Sequence, residues 1–298
     1  MNTLTTIERR GMESISTPGG RMLIVAADQR NGMKAVMTDA PGGPDSVTAE
    51  QLADAKADLV RYLGNRAPAI LLDPEIALPM VVDERILARG TALVVGMDAS
   101  GFKTIDGLRY TDIVHGVTPR AVRDLGGDAA KMLFYLRPDK QGSNSRVAQE
   151  IRALVRACTD EGILLIVEIL TYRLADETES DYYAAMPRLV ADAARAAVEC
   201  GAKVLKLQYP GSSEGCADVT SAAAGVPWAV LSAGVDHETF VKQVEIAIAN
   251  GAAGAMAGRS LWKDSLAVSP EARRALLTTR AQRRLSELGA VVDNTERA

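Results

Sequence analysis

A lysine stands in the middle of an apolar, strand-length run, Gly201-Ala202-Lys203-Val204-Leu205-Lys206-Leu207-Gln208-Tyr209-Pro210, which ends on a proline that cannot continue a ladder. Side chains alternate along a strand, so Val204, Lys206 and Gln208 share one face while Leu205 and Leu207 share the other, the side expected to be backed by helices. Lys206 therefore points into an interior. A buried ammonium must be paired or give up its proton, and an amine that loses its proton attacks carbonyls. The same pattern also suits a lysine that snorkels to the strand end or sits in a structural ion pair. Lys203, on the opposite parity, reads as a surface or helix-packing residue.

The elements that would position Lys206 alternate along the chain. A helix is expected over 4–16, ended by Pro18-Gly19-Gly20, and then a strand, Met22 to Ala27, closing on Asp28-Gln29-Arg30. Residues 48–64 have helical periodicity, with Leu52, Ala55, Leu59 and Leu63 on one stripe. Strands follow at Ala69 to Asp73 and Ala92 to Val95, with Ile86 and Leu87 in a short helix between them. After a Gly-, Asp- and Lys-rich loop over 98–117 come a helix at 118–125, a strand from Ala129 to Tyr135, a helix at 145–160 and a strand from Ile163 to Glu168. Helix 181–200 leads to the lysine strand. Trp228 to Ser232 and Ala252 to Ala257 are the seventh and eighth strands, with helix 237–250 between them and helical sequence over 269–288.

Eight strands alternating with helices, undivided by a linker, make an α/β protein. The count is that of a (β/α)₈ barrel with an extra N-terminal helix and a C-terminal helical extension, one domain over 1–298. An open doubly wound sheet is the alternative, but no Gly-x-Gly-x-x-Gly turn follows the first strand. In a barrel the strand ends meet at one mouth. Asp28, Gln29 and Arg30 after the first strand, Lys131 on the fourth, Glu168 on the fifth, Lys206 on the sixth, Ser232 on the seventh and Arg259 after the eighth would become neighbours there. Each alone could be a solvated rim residue; together they form a constellation. Two lysines on neighbouring strands would lower each other's pKa, with Glu168 to hold or shuttle a proton. The turn Leu231-Ser232-Ala233-Gly234-Val235-Asp236, with Gly258 and Arg259, supplies backbone N–H groups and a guanidinium where barrels bind phosphate, although these glycines also suit plain turns. Asp98 and the loop around Lys103 read equally as ligand-holding or solvated.

Composition excludes several classes. Apolar residues make up 47% and charged residues 24% of 298, with a net charge of −4, which suits a globular protein acting on small molecules and not one that binds nucleic acid. No apolar run reaches the roughly 20 residues that span a bilayer, and Glu8, Arg9, Arg10 and Glu13 stand where a signal peptide would be apolar. A soluble, cytoplasmic protein without membrane contact is expected. Cys158, Cys200 and Cys216 suggest neither disulfides nor a zinc ribbon; Cys158 and Cys200 read as helix residues near a core. His115 and His237 are the only histidines, too few for a three-histidine zinc site, and His237 is expected at the surface.

Several stretches carry a resemblance. They are Ala27-Asp28-Gln29-Arg30-Asn31-Gly32-Met33-Lys34, Ala130-Lys131-Met132-Leu133-Phe134-Tyr135, Val167-Glu168, Val204-Leu205-Lys206, Leu231-Ser232-Ala233-Gly234-Val235 and Ala257-Gly258-Arg259-Ser260-Leu261-Trp262. In collinear order over 22–265 they resemble the tagatose 1,6-bisphosphate aldolase family of class I aldolases. The relative that cleaves 6-deoxy-6-sulfofructose 1-phosphate is similar too. The resemblance implies a (β/α)₈ barrel in which Lys206 forms an imine and Glu168 shuttles protons. It also implies that Lys131, Asp28 and Gln29 line the substrate site and that Ser232 and Arg259 hold a phosphate. One departure is Lys206-Leu207-Gln208 where the family generally has Lys-Val-Glu, which would leave Lys206 with one counter-charge fewer.

The expected function is therefore a metal- and cofactor-independent carbon-carbon lyase acting on a ketose 1-phosphate, with tagatose or fructose 1,6-bisphosphate as first choice and dihydroxyacetone phosphate as one product. Lys206, Glu168 and Lys131 are the expected catalytic residues; Asp28, Gln29, Arg30, Gln208, Ser232, Gly234, Gly258 and Arg259 are expected to bind substrate, with Arg30 meeting a second, distal anion. The sulfofructose phosphate is the alternative substrate. A non-catalytic sugar-phosphate sensor, or a decarboxylase or isomerase on the same barrel, is the rival. Assembly as a homo-oligomer, dimer or tetramer, is expected.

Overall fold

Side-chain caps fix where most helices begin. Thr5 with Glu8 and Thr48 with Gln51 form reciprocal capping boxes at α1 (Thr6–Ser14) and, after β1 (Met22–Ala27) and the single-turn α2 (Asn31–Lys34), at α3 (Ala49–Tyr62), each satisfying donors the first turn leaves open. The computed structural model describes residues 3–293. Then come β2 (Ala69–Leu72), α4 (Met80–Asp83), β3 (Ala92–Gly96), a hairpin of β4 (Lys103–Ile105) and β5 (Leu108–Tyr110), and α5 (Pro119–Asp124). The chain continues through β6 (Ala129–Tyr135), α6 (Arg146–Glu161), β7 (Leu164–Leu170), α7 (Glu179–Glu199), β8 (Val204–Leu207), α8 (Ser213–Ala223), β9 (Trp228–Leu231) and α9 (His237–Ala249). It closes with β10 (Gly254–Ala257), α10 (Arg259–Trp262), α11 (Pro270–Leu276) and α12 (Gln282–Val292).

The eight expected strands are β1, β2, β3 and β6 to β10, and they close into one parallel barrel in the order β1-β10-β9-β8-β7-β6-β3-β2. Alternation then sorts the core in two. Met22, Ile24, Ala69, Leu71, Val94, Ala129, Leu164, Ile166, Val204 and Met256 fill the inside, while Leu23, Val25, Ile70, Leu93, Leu205, Leu207 and Val230 belong to the outer cluster that packs under the helices. Closure needs a glycine: a Cβ on Gly254, whose φ is +153°, would stand 2.1 Å from the Met22 carbonyl oxygen on the neighbouring strand.

The N-terminal helix plugs the far end of the barrel. Leu4, Met12 and Ile15 pack on the inner cluster, and Glu8, 1% exposed, receives the Lys203 ammonium at 2.7 Å. Lys203 is thus the helix-packing residue its parity suggested, on the opposite side from Lys206.

Four local readings need correction. Ile86 and Leu87 lie beyond α4, because Arg85 takes a left-handed φ of 58° and ends that turn; burial of Ile86 against the core produced its apparent periodicity. The segment 98–117 is not all loop, since Asp106 and Gly107, with φ of 52° and 75°, turn a hairpin. Helix α8, between the sixth and seventh barrel strands, was not anticipated; its run of small residues hides the stripe. His237 is buried, 8% exposed, and bonds Glu287 of α12 at 2.8 Å. Cys158 and Cys200 are buried free thiols, as is Cys216, and burial pushes Cys158 up to about 12, which leaves it an inert thiol.

Candidate active site

Register brings the two central groups together. Glu168 of β7 lies level with Lys206 of β8, both on inward positions, and Lys206 Nζ is 2.9 Å from Glu168 Oε2. The same oxygen lies 3.2 Å from Lys131 Nζ, so one carboxylate bridges two ammoniums. Lys131 and Lys206 are not on neighbouring strands; β7 and its glutamate stand between them. All three side chains are nearly enclosed, with 1% of Lys131, 4% of Lys206 and 7% of Glu168 exposed.

Lys131 is the most heavily paired group in the barrel. Its Nζ meets Asp28 Oδ2 at 2.7 Å and Asp98 Oδ1 at 2.5 Å as well as Glu168. Burial alone would drive off its proton, but Asp28, Asp98 and Glu168 overrule burial and hold the ammonium well above its ordinary value. This corrects the expectation that the two lysines depress each other: for Lys131 three anions outweigh one cation. Asp98, left open on sequence, belongs to the cluster, and its Oδ1 also accepts from the Leu133 N–H at 3.3 Å.

The two aspartates are pushed apart. Burial raises both, but Lys131 and Lys206 carry Asp28 well below the usual carboxylate range. Asp98 stays above it, because burial and the charges of Asp28 and Glu168 outweigh Lys131. Gly96 makes room for this packing, since a Cβ there would sit 3.3 Å from Asp28 Cβ. Asp28 Oδ1 is buried without a partner among the described residues, which leaves an acceptor free for a substrate hydroxyl.

The signs give a stability test. Asp28, with its pKa depressed on folding, contributes stability that is present above its ordinary value of 3.8 and lost as pH falls through the folded value. Asp28→Asn should lower Tm by several degrees at pH 7, with the gap to wild type narrowing below that value. Asp98, raised on folding, carries a penalty once ionised, so Asp98→Asn should cost less at pH 7 than Asp28→Asn. Thermal melts across pH check the contrast.

A buried lysine outside the barrel sets the end of β1. Lys56 of α3, 0% exposed, donates to the carbonyls of Ala27 at 2.6 Å and Gln29 at 2.9 Å and lies 3.4 Å from Asp73. Burial pushes Lys56 down and Asp73 up, each toward its neutral form. Lys56 was missed on sequence, although it falls one turn after Leu52 on the buried face.

Other expected site residues are placed as follows. Arg30 is already engaged: Nε pairs with Glu75 at 3.0 Å and bonds Ser100 at 2.8 Å, and Nη2 donates to the Asp98 carbonyl at 2.7 Å. Gln29 Oε1 is buried and unpartnered among the described residues. Gln208 lies just past the end of β8, and its Oε1 accepts from the Thr171 N–H at 2.7 Å and hydroxyl at 3.0 Å. That carbonyl oxygen serves the turn after β7, so the departure from the family pattern concerns a loop contact as much as the charge of Lys206.

Across the mouth, Ser232 and Gly234 follow β9, and Gly258 and Arg259 follow β10. Gly234 has a φ of +84°, and the Arg259 Cζ would lie 3.0 Å from a Cβ there, so the glycine is needed both for the turn and for the guanidinium resting on it. Gly258 N–H donates to Ser232 Oγ at 3.3 Å, and Trp262 Nε1 ties the segment to the Ala26 carbonyl at 3.0 Å. Arg259 has no ion pair among the described residues. Among those residues no group of three His, Cys, Asp or Glu side chains is disposed to hold a metal ion; where three carboxylates do converge, the Lys131 ammonium occupies the centre. Nor is any described helix long and apolar enough to cross a membrane.

The family model described as DeoC/LacD family aldolase matches residues 22–264. Tagatose 1,6-diphosphate aldolase 2 of Streptococcus agalactiae serotype III (strain NEM316) is 27% identical, covering 98% of this chain and 97% of its own. Tagatose 1,6-diphosphate aldolase of Lactococcus lactis subsp. lactis gives the same identity and coverage. Among solved structures, a Schiff base-forming fructose-1,6-bisphosphate aldolase superposes with a TM-score of 0.67 at 20% identity, over 96% of this chain and 100% of that one. An archaeal fructose 1,6-bisphosphate aldolase gives 0.68 at 20%, over 97% and 100%. At such identities the two structures speak for the barrel fold alone.

Proposed function

The chain belongs to the DeoC/LacD family of aldolases, and from that footing we propose that it cleaves a ketose 1-phosphate through a Schiff base on Lys206. The observation that carries this is the single Glu168 oxygen between two buried lysines, 2.9 Å from Lys206 and 3.2 Å from Lys131. Lys131, held by three carboxylates, stays an ammonium. Lys206 has one acid partner and can hand its proton to it.

The steps balance around that carboxylate. Lys206 gives a proton to Glu168, and its amine attacks the C2 carbonyl to form a carbinolamine. Glu168 returns the proton to the departing hydroxyl, water leaves, and a cationic iminium remains. The carboxylate then takes the C4 hydroxyl proton. The C3–C4 pair flows into the iminium, which is the electron sink, and an enamine and an aldehyde result. Proton return from Glu168 to C3, followed by hydrolysis, releases dihydroxyacetone phosphate and restores Lys206. Lys131 stabilises the oxygen charge developing beside it, and the free Asp28 oxygen accepts from a substrate hydroxyl.

Arg259, Ser232 and the Gly234 turn are assigned to the C1 phosphate. The names of the curated relatives favour tagatose 1,6-bisphosphate as substrate, and fructose 1,6-bisphosphate, which differs from it only in configuration at C4, is the second ketose to test. The test is release of dihydroxyacetone phosphate from these ketoses, with Arg259→Ala beside wild type. A charge-assisted contact to phosphate is worth roughly 1.5–3 kcal/mol, so KM should rise about ten- to a hundredfold with a smaller change in kcat. An unchanged KM would move the phosphate elsewhere.

A further inference from the structure

The barrel mouth holds a second guanidinium without an acid partner. Arg109 lies on β5 of the hairpin that rises after β3. An Asp106-Gly107 turn with both φ angles positive closes this hairpin, and the Lys103–Asp112 pair at 2.6 Å fastens its base. The Arg109 backbone N–H donates to Tyr172 Oη at 2.9 Å. Its Cζ lies 4.4 Å from the ring centre of Phe102, 4.8 Å from that of Tyr172 and 5.8 Å from that of Tyr135.

Those rings locate it over the site. Tyr135 continues the inward series Lys131, Leu133, Tyr135 along β6, and its phenol lies within electrostatic reach of Arg109, Glu168, Asp98 and Lys131. Tyr172 follows β7, the strand of Glu168. In the strand order, β3 and β6 are across the barrel from β9 and β10, whose ends lead into Ser232 and Arg259. A substrate with its C1 phosphate at Arg259 and its ketone at Lys206 would direct its far end toward the hairpin.

Aromatic rings hold a guanidinium without consuming its donors. Cation–π attraction uses the flat face, whereas the N–H groups project in the plane. Arg109 makes no ion pair and no side-chain hydrogen bond among the described residues, which is the reverse of Arg30, whose charge meets Glu75 and whose donors serve Ser100 and Asp98. We infer that Arg109, carried over the mouth on its aromatic platform, determines specificity for a distal anionic group of the substrate, a phosphate or sulfonate on the last carbon, while Arg30 ties the loop after β3 in place. This rests on the aldolase reading and deepens it.

The test compares tagatose 1,6-bisphosphate with tagatose 1-phosphate on the full chain. For Arg109→Met, which keeps an unbranched stem against the rings, the ratio of kcat/KM between the two substrates should fall about ten- to a hundredfold, chiefly through KM for the bisphosphate. Arg109→Lys should restore part of the ratio, and Arg30→Met should leave the ratio near wild type. A ratio within about twofold of wild type in Arg109→Met, or a loss of ratio in Arg30→Met instead, overturns the assignment. Borohydride trapping with dihydroxyacetone phosphate, which has no distal group, separates the two claims. Wild type that traps but shows no change of ratio on substitution removes Arg109 alone; wild type that fails to trap removes the aldolase reading and this inference with it.

Discussion

Lys206→Met should abolish turnover, lowering kcat/KM for a ketose 1,6-bisphosphate by on the order of 10⁴-fold or more, as loss of a covalent nucleophile does elsewhere. Tm should stay within a few degrees of wild type. Removing one partner of a buried pair usually strands the other charge, but here Glu168 Oε2 keeps the Lys131 ammonium at 3.2 Å. Methionine replaces the aliphatic stem, so little packing is lost. Kinetics beside a melting curve check both halves. A variant that is inactive because it has unfolded would contradict the pairing, and one that retains turnover would contradict the nucleophile.

Lys131→Met should have the larger effect on stability. Asp28 Oδ2 and Asp98 Oδ1 would lose their nearest cation inside the barrel, and Glu168 would keep only Lys206. Breaking a buried ionic cluster in this way costs about 3–5 kcal/mol, which in a chain of this size lowers Tm by roughly ten degrees. The sign with pH follows from the orphaned acids. Without Lys131 their pKa values rise on folding, so the penalty is largest where they ionise and shrinks as pH falls and they take up protons. Adding Asp98→Asn should recover part of the loss at pH 7, since it removes one uncompensated charge. A Tm within two degrees of wild type (about 1 kcal/mol or less), flat across pH, would show that the cluster does not depend on Lys131.

The fold was legible because eight strands alternate with helices along the chain. Parity along Val204-Leu205-Lys206-Leu207 set the lysine inward, and convergence of the strand ends at one mouth brought Glu168 and Lys131 into its cluster. What parity cannot supply is which charges cancel. Arg30 follows the first strand and Arg109 falls in the 98–117 segment read as loop; the structure sets the first against Glu75 from the turn after β2 and the second against aromatic rings. Asp98 was obscure because its segment has no periodicity; only closure of β3 against β6 brings it to Lys131. Two signals were present and unread. The Asp106-Gly107 pair favours a two-residue hairpin turn, and Lys56 breaks an otherwise apolar helix stripe between Leu52 and Leu59.

The central claim is a covalent bond between Lys206 and the ketone carbon of the product. Incubating the protein with dihydroxyacetone phosphate, reducing with borohydride and mapping peptides by mass tests it most directly. The account predicts one added reduced triose phosphate, located on Lys206 and absent from Lys206→Met. Label on Lys131 or another lysine, or no label at saturating dihydroxyacetone phosphate, would contradict it.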